Sequence, residues 1–238
     1  MEKRLIFLDT ETTGNMPPDR LCQIAFKIGD ETFSELYKPP VPITIESMAV
    51  HHITEKMVAN KPAFVDSPEF KKLQELFETN IVFVAHNAKF DIGMLEKEGL
   101  KPKYVIDTYR VARHLDPDGK IPSYRLQYLR YLLGIEIEAT AHDAMGDVLV
   151  LEQLFERLVK KIMETENLSR ETAIEQMIDI SSHPVLFKFM NFGKYKNSSL
   201  EEVAQKDAAY LRWLLEQKRQ TPEEEEDWIY TLEHFLKM

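Results

Sequence analysis

Two acidic side chains, Asp9 and Glu11, close an apolar run that begins at Leu5. A short apolar run that ends at a turn signal is typical of a strand buried on both faces. Side chains two apart in a strand point to the same side, so the two carboxylates are expected to share one face. Because burial and proximity both disfavour paired negative charges, this pattern favours a bound divalent cation with oxygen ligands. Two solvated acids at a strand end would explain the same residues.

Acidic residues recur at two later places in the chain. Asp91 falls in the first turns of a helix that follows the apolar run of residues 81–85, and ligand sites in α/β proteins gather at such strand ends. A favourable interaction with the helix dipole would also explain Asp91. Asp147 falls one turn inside a long amphipathic helix predicted from residue 143 towards residue 163, and His142 immediately precedes that helix. Four acids and one histidine from separate elements therefore form a candidate metal site.

These residues require a sheet whose strand ends lie together, and the pattern along the chain predicts one. Three strands are followed by alternating helices and strands, which is typical of a mixed α/β sheet with helices on both faces. The predicted strands are the first apolar run and residues 21–28, 32–37, 81–85 and 104–106. The predicted helices are residues 67–79, a helix capped by Asn87 that runs to residue 98, and residues 107–115, 123–134, 143–163 and 169–180. The fold class predicted is α/β, with a mixed five-stranded sheet flanked by helices.

The composition changes after the long helix. Residues 187–196 alternate in the way expected of a short hairpin, and capping boxes predict helix starts at Ser198 and Thr221. The predicted domains are therefore residues 1–165 and a small α+β C-terminal module at residues 166–238.

Composition limits the classes of function. The chain has 238 residues, of which 44% are hydrophobic, and this suits one large domain or a domain with a small appendage. Its one cysteine, Cys22, excludes an internal disulfide. No apolar run is long enough for a signal peptide or a membrane span, so a cytoplasmic protein without a membrane partner is expected. The net charge of -10 argues against non-specific coating of nucleic acid.

The charge is unevenly distributed along the chain. The basic stretch at residues 101–130 fits either a phosphate-facing surface or a solvated helix.

Three segments resemble the motifs of one enzyme family. Residues 7–14, 86–91 and 142–147 are similar, in order and separation, to the three motifs of the DEDDh 3′–5′ exonucleases. The third has the His-x-x-x-x-Asp form, which marks the branch that uses histidine rather than tyrosine. The resemblance covers roughly residues 4–160 and implies a ribonuclease H-like fold for the predicted sheet.

The resemblance assigns roles to the acidic residues and the histidine. Two Mg²⁺ ions, with Mn²⁺ as a substitute, would be held by Asp9, Glu11, Asp91 and Asp147. His142 would be the general base that takes a proton from the attacking water. Water would attack the last phosphodiester bond and release a nucleoside 5′-monophosphate. The partners implied are DNA 3′ ends, both single-stranded and duplex, and the process implied is DNA repair.

The family also implies a pocket for the terminal nucleotide. Its lining by resemblance is Thr12, Thr13, Asn15, Met16, Val50, His51 and Phe90. Residues 48–54 contribute because they resemble the family's segment beside that nucleotide. Phe90 or Met16 would stack on a base or wedge beside it. Packing in the core is the alternative for Phe90.

The C-terminal segment resembles the module of a DNA-degrading branch of this family, at residues 192–196 and 207–214. One departure is Ala209, where that branch usually has glycine before the tyrosine, and this affects a local turn. The basic and aromatic segment at residues 194–196 is a candidate contact for the DNA strand further from its 3′ end.

Three other functions would fit the whole chain. They are an RNA 3′–5′ exonuclease or oligoribonuclease, a polymerase proofreading subunit, and a non-catalytic nucleic-acid-binding module. The oligomeric state is left open.

Overall fold

The computed structural model describes residues 3–137, 144–222 and 225–238 of the chain. These residues divide into two compact units. The first unit comprises Met1–Val111 and Ser123–Ser181, and the second comprises Ala112–Pro122 and Ser182–Met238. In the described part of the chain, no helix is long and apolar enough to cross a membrane.

The first unit contains a five-stranded sheet with the spatial order β3-β2-β1-β4-β5. The strands are β1 (Leu5–Thr12), β2 (Leu21–Ile28), β3 (Glu31–Leu36), β4 (Val82–Ala85) and β5 (Tyr104–Asp107). β1 pairs antiparallel with β2 and parallel with β4, while β2 pairs antiparallel with β3 and β4 pairs parallel with β5. The mixed sheet confirms the predicted fold class and places β1 at its centre.

Helices surround this sheet, and three more helices lie in the second unit. The first unit has α1 (Ile45–His51), α2 (Glu55–Val58), α3 (Pro68–Phe77), α4 (Lys89–Lys97), α6 (Leu126–Leu132), α7 (Ala144–Glu166) and α8 (Arg170–Ser181). α5 (Thr108–His114) follows β5 directly. The second unit has α9 (Leu200–Lys206), α10 (Ala208–Lys218) and α11 (Glu226–Leu236).

The alternation of side chains along β1 decides which helix covers which face. Ile6 and Leu8 are fully buried on one face, in a core cluster shared with residues of α3, β4 and α4. Phe7 points to the other face, where its ring packs edge-on against Phe155 of α7, with 5.3 Å between ring centroids. Because the strand has a period of two, the two acids that continue the Phe7 series also face α7.

The helix α4 begins later than predicted, because Asn87 is not its N-cap. Asn87 has a φ of 62°, in the left-handed region, and its N–H donates to Asp107 Oδ1 at 2.9 Å. α4 begins at Lys89, with Ala88 as its N-cap. Asn tolerates this conformation better than most residues. The bond to Asp107, at the end of β5, holds the Asn87 backbone in it.

The helix predicted at residues 123–134 is also shorter, because α6 begins at Leu126. Arg125 has extended backbone angles of -63° and 142°. The carbonyl of Tyr124 accepts a hydrogen bond from His86 Nε2 at 2.7 Å. This contact holds the preceding chain extended against the end of β4.

The helix α8 packs with the first unit, although the sequence placed it in the C-terminal module at residues 166–238. It lies against β5 and α7. At its end, Ser181 Oγ accepts a hydrogen bond from the N–H of Asp107 at 2.8 Å. The change in composition after α7 suggested a domain boundary there. The structure instead keeps α8 in the first unit, where it covers β5.

Of the hairpin predicted at residues 187–196, only a short antiparallel pairing of residues 188–190 with residues 198–200 is formed. The described segment contains turns and an isolated antiparallel bridge between Phe189 and Ser199. Three helices supply the core of this unit, where Leu200, Leu211 and Leu232 are fully buried. The alternating pattern of this segment reflects aromatic side chains that pack on those helices rather than a strand.

Candidate active site

Three of the predicted metal ligands converge at one end of the sheet. Asp9 and Glu11 extend from β1 towards α7, and Asp147 lies in the first turn of α7. One carboxylate oxygen from each residue lies within 4.8 Å of the others. Asp147 is buried and the other two are partly buried, so their mutual repulsion is poorly screened. A divalent cation with carboxylate ligands would relieve this repulsion, and the donor set fits a divalent metal.

Asp91 lies at the same end of β1 but is bonded to Thr10, whose side chain alternates with those of Asp9 and Glu11. Its Oδ1 accepts hydrogen bonds from the N–H of Thr10 at 3.0 Å and from the Thr10 hydroxyl at 2.8 Å. Burial raises the pKa of the Asp91 carboxyl well above its usual range, and the bonds from Thr10 oppose that rise. The structure therefore brings Asp91 to the same strand end but anchors it to Thr10, and it is not among the three carboxylates that approach within 4.8 Å of one another.

Sequence reasoning missed Gln127, which contacts the metal site directly. Its Nε2 donates a hydrogen bond to Asp147 Oδ1, and its Oε1 accepts one from Arg130 Nη1 at 3.3 Å. The guanidinium of Arg130 is largely buried and also donates to the carbonyl of Ile137. Gln127 thus links the buried guanidinium of Arg130 to the Asp147 carboxylate, and it orients that carboxylate.

His86 positions the helix that carries Gln127. Its Nε2 donates to the Tyr124 carbonyl at 2.7 Å, and its Nδ1 lies 2.8 Å from the Thr108 hydroxyl. Burial lowers the pKa of His86 to about 4, so the ring is neutral and its Nε2 carries the hydrogen. The motif that contains His86 therefore supports the site through the start of α6.

The carboxylate of Asp19 holds the loop that follows β1 in its conformation. Its Oδ1 accepts a bond from the Thr13 hydroxyl at 2.8 Å, and its Oδ2 accepts one from the N–H of Met16 at 2.7 Å. A Cβ at Gly14 would clash with the Asp19 carboxylate, so the close approach requires glycine there. Since Thr13 is fully buried, the structure gives its side chain a role in the loop framework rather than at a pocket surface.

The other residues predicted for the nucleotide pocket fall into two groups. His51 is buried, with Nε2 bonded to the Thr12 carbonyl at 3.1 Å and Nδ1 accepting from the N–H of Ile53 at 3.0 Å. Thr12 is also buried, and its hydroxyl donates to the carbonyl of Gly14. The exposed members are Asn15, Met16, Val50 and Phe90. Exposed apolar side chains near a strand end are available to contact a base.

One predicted residue falls outside the described part of the chain, and one buried carboxylate was not predicted as part of the site. His142, predicted as the general base, lies outside the described residues. Asp107 is buried at the end of β5, and its Oδ1 accepts hydrogen bonds from the N–H groups of Asn87 and Tyr109. Burial raises the pKa of Asp107 to about 6. Its only sequence signal is a carboxylate at the end of a predicted strand.

Family models and curated relatives match the chain along most of its length. The family described as Exonuclease matches residues 6–155, and the family described as Exodeoxyribonuclease X-like C-terminal matches residues 190–219. Exodeoxyribonuclease 10 of Escherichia coli (strain K12) is 35% identical over 183 residues, which cover 76% of this chain and 75% of that protein. DNA polymerase III subunit epsilon of Treponema pallidum (strain Nichols) is 34% identical over 165 residues, which cover 63% of this chain and 74% of that protein.

Solved structures of two nucleases also resemble the chain. Exonuclease X in complex with 5′ overhanging duplex DNA has a TM-score of 0.58 and 29% identity, over 74% of this chain and 99% of that chain. Escherichia coli exonuclease I in complex with a dT13 oligonucleotide has a TM-score of 0.59 and 21% identity, over 70% of this chain and 43% of that chain. At that lower identity the likeness to exonuclease I shows the fold alone.

Proposed function

The chain belongs to the exonuclease family and carries an exodeoxyribonuclease X-like C-terminal segment, and we propose that it removes nucleotides from the 3′ ends of DNA. The observation that carries this proposal is the convergence of Asp9, Glu11 and Asp147 within 4.8 Å. Crowded carboxylates beside a polyanionic substrate are tolerable only with cations between them. The likeness to an exodeoxyribonuclease and to a DNA-bound exonuclease X supports DNA as the substrate.

The chemistry is hydrolysis of the terminal phosphodiester bond. Asp9, Glu11 and Asp147 would hold Mg²⁺, with Mn²⁺ as a substitute. Asp91, whose Oδ1 is bonded to Thr10 at the same strand end, would complete the ligand set from α4. The chemistry that two such cations would supply when bound is neutralisation of the negative charge at the phosphate during an in-line displacement. His142 accepts the proton of the attacking water, and the product is a nucleoside 5′-monophosphate. The hard oxygen donors of the site favour Mg²⁺ over softer metals.

The loop after β1 and the end of α1 receive the terminal nucleotide. Asn15, Met16 and Val50 are exposed there, and Phe90 presents part of its ring from α4. Thr12 and His51 hold the two segments together through the bond between His51 Nε2 and the Thr12 carbonyl. An apolar pocket of this kind accepts any base, because every base offers a flat face.

A proofreading subunit is the second candidate, since the chain resembles DNA polymerase III subunit epsilon. The C-terminal match at residues 190–219 favours a nuclease of the exodeoxyribonuclease X type. A role in DNA repair and a cytoplasmic location fit such an enzyme, and both stay predictions.

Digestion of end-labelled substrates tests the proposal. Single-stranded DNA, duplex DNA and RNA of one sequence are each incubated with the protein in magnesium and in EDTA. We expect mononucleotides from the 3′ ends of DNA in magnesium and none in EDTA. Faster loss of nucleotides from RNA than from DNA would instead support an RNA exonuclease, and cleavage in EDTA would contradict the metal assignment.

A further inference from the structure

The second unit carries an aromatic surface on and beside α10, of which Trp213 is exposed and Tyr195 and Tyr210 are partly buried. The Tyr195 and Tyr210 rings lie edge to face, with 5.2 Å between centroids, and Tyr210 lies 5.7 Å from Trp213 at an interplanar angle of 36°. Trp213 is 55% exposed, although tryptophan contributes stability mainly when it is buried. A large exposed aromatic side chain therefore indicates a ligand more strongly than an exposed leucine would.

The rings of this surface are held in place by polar contacts beneath them. Asp207 Oδ2 accepts a hydrogen bond from the Tyr195 hydroxyl at 2.7 Å, and its Oδ1 accepts one from the N–H of Tyr210 at 3.1 Å. Gly193 has a φ of 70°, and a Cβ there would lie 2.7 Å from the Tyr210 hydroxyl oxygen. The side chain of Tyr210 therefore packs closely on the backbone of the preceding turn. A platform that is already ordered loses little conformational entropy when a ligand stacks on it.

Two exposed cations adjoin the rings in the sequence. Lys196 follows Tyr195 in the chain and Arg212 precedes Trp213, and both side chains are exposed. Within the ranges that the structure describes, neither cation has an ion-pair partner. We define the Trp213 surface as Tyr195, Lys196, Tyr210, Arg212 and Trp213.

Two acidic groups close to these rings in the sequence are paired with other cations. Asp207 is paired with Lys194 at 3.1 Å, and Glu216 of α10 is paired with Arg219 at 3.2 Å. Acidic residues also occupy the first turn of α9, where the helix dipole favours negative charge. Since neither Lys196 nor Arg212 has an ion-pair partner among the described residues, both cations are available to an anion.

We propose that the Trp213 surface binds a segment of single-stranded DNA. A base stacks on the Trp213 indole, and the adjoining phosphates interact with Lys196 and Arg212. Stacking on aromatic rings with flanking cations is the common way in which proteins bind single strands without reading their sequence. Only the choice of DNA over RNA rests on the proposed function. The surface lies in the second unit and is built from residues outside the carboxylate site.

Binding of the full-length protein to a fluorescein-labelled oligothymidylate tests this proposal. Anisotropy is measured in EDTA, so that hydrolysis does not contribute. Trp213→Ala should weaken binding about tenfold, which corresponds to about 1.4 kcal/mol. Trp213→Phe should keep most of the affinity because it keeps a flat ring. Lys196→Gln should reduce the slope of log K against log salt by about 0.7.

A matched control and a spectroscopic signal separate stacking from a general loss of fold. Tyr230 of α11 is 43% exposed in the same unit, and Tyr230→Ala should bind the oligonucleotide as tightly as the parent. Trp228 is buried, so quenching of tryptophan fluorescence by DNA should come from Trp213 and disappear in Trp213→Phe. Equal affinity of Trp213→Ala and the parent would overturn the proposal. Equal weakening by Tyr230→Ala and Trp213→Ala would overturn it as well.

The binding experiment can fail or succeed independently of the nuclease activity. If the parent releases no nucleotides from any DNA in magnesium, the proposed function fails, whereas the anisotropy difference between the parent and Trp213→Ala is measured separately in EDTA. Tighter binding of an oligouridylate than of the oligothymidylate would overturn the assignment to DNA.

Discussion

Gln127 Nε2 donates a hydrogen bond to Asp147 Oδ1, and this bond joins α6 to the first turn of α7. Gln127 in turn accepts a bond from the buried guanidinium of Arg130. Partners of this kind fix the orientation of a ligating carboxylate and tune its basicity. Asp147 is therefore held in one orientation by a residue that lies in none of the three motifs.

Removing the Gln127 side chain should reduce catalysis more than substrate binding. Loss of such a supporting bond typically costs about 10–100-fold in metal affinity or activity. Gln127→Ala should lower kcat on single-stranded DNA within that range, leave KM nearly unchanged, and raise the magnesium concentration that gives half-maximal rate. Gln127→Glu should be more severe, because it places a fourth negative charge against Asp147.

Gln153 provides the matched control for this experiment. It lies exposed on α7, two turns beyond the site, and Gln153→Ala should keep the parent rate and magnesium dependence. A Gln127→Ala enzyme with parental magnesium dependence would show that the bond to Asp147 has no role in positioning the carboxylate.

Asp147→Asn should abolish nucleotide release without loss of fold. The substitution keeps the side-chain volume and an oxygen that can accept from Gln127, but it removes one of three crowded charges. The melting temperature without metal should therefore stay the same or rise. Magnesium at about 100 times its Kd should stabilise the parent by about 2.7 kcal/mol, and this gain should be absent in the variant.

Asp30→Asn is the matched control for the thermal measurement. Asp30 is exposed in the turn between β2 and β3, so Asp30→Asn should retain the full stabilisation by magnesium. If Asp147→Asn released nucleotides at the parent rate, Asp147 would not be a metal ligand.

His142→Ala should slow hydrolysis while metal binding persists. A general base contributes typically about 10²–10⁴-fold to a rate, and the variant should lose a factor in that range. The parent kcat should rise with pH through the histidine pKa near neutrality, and the variant should lack this rise. Stabilisation by magnesium should match the parent. An unchanged pH–rate profile would assign the proton transfer to another group.

The strand alternation of β1 was sufficient to predict the shared face of Asp9 and Glu11, because the period of a strand is local. The helical spacing of apolar residues in α7 was likewise sufficient to place Asp147 one turn inside that helix, beside its apolar face. The position of Asp91 against Thr10 was not predictable in this way. It depends on the rotation of α4 about its own axis, which packing against the core decides.

Contacts between distant segments explain the other differences. Asn87 is a good N-cap by type, but the Asp107 carboxylate binds its N–H and stabilises a left-handed conformation. Gln127 reaches Asp147 from a helix twenty residues earlier, and no spacing rule connects the two. Such contacts exist only after the strands have paired, so local propensity carries no information about them.

Asp107 should give the folded protein a pH dependence of the opposite sign to that of a paired carboxylate. Burial raises its pKa from 3.8 to about 6, so the folded state holds the proton more tightly than the unfolded state. Its contribution to the free energy of unfolding is therefore greatest below about pH 4 and falls as the pH rises through 6, by up to about 3 kcal/mol.

Asp107→Asn should remove this fall, because its amide oxygen still accepts from the N–H groups of Asn87 and Tyr109 but carries no charge. The free energy of unfolding is measured in urea for the parent and the variant at several pH values from about 4 to 7. Relative to the parent, the variant should gain stability from about pH 4 to about pH 6 and then level off. Asp66→Asn, an exposed substitution, should show no such trend. A constant difference between Asp107→Asn and the parent would mean that Asp107 does not titrate there, and that its bonds to the backbone outweigh the cost of burying its charge.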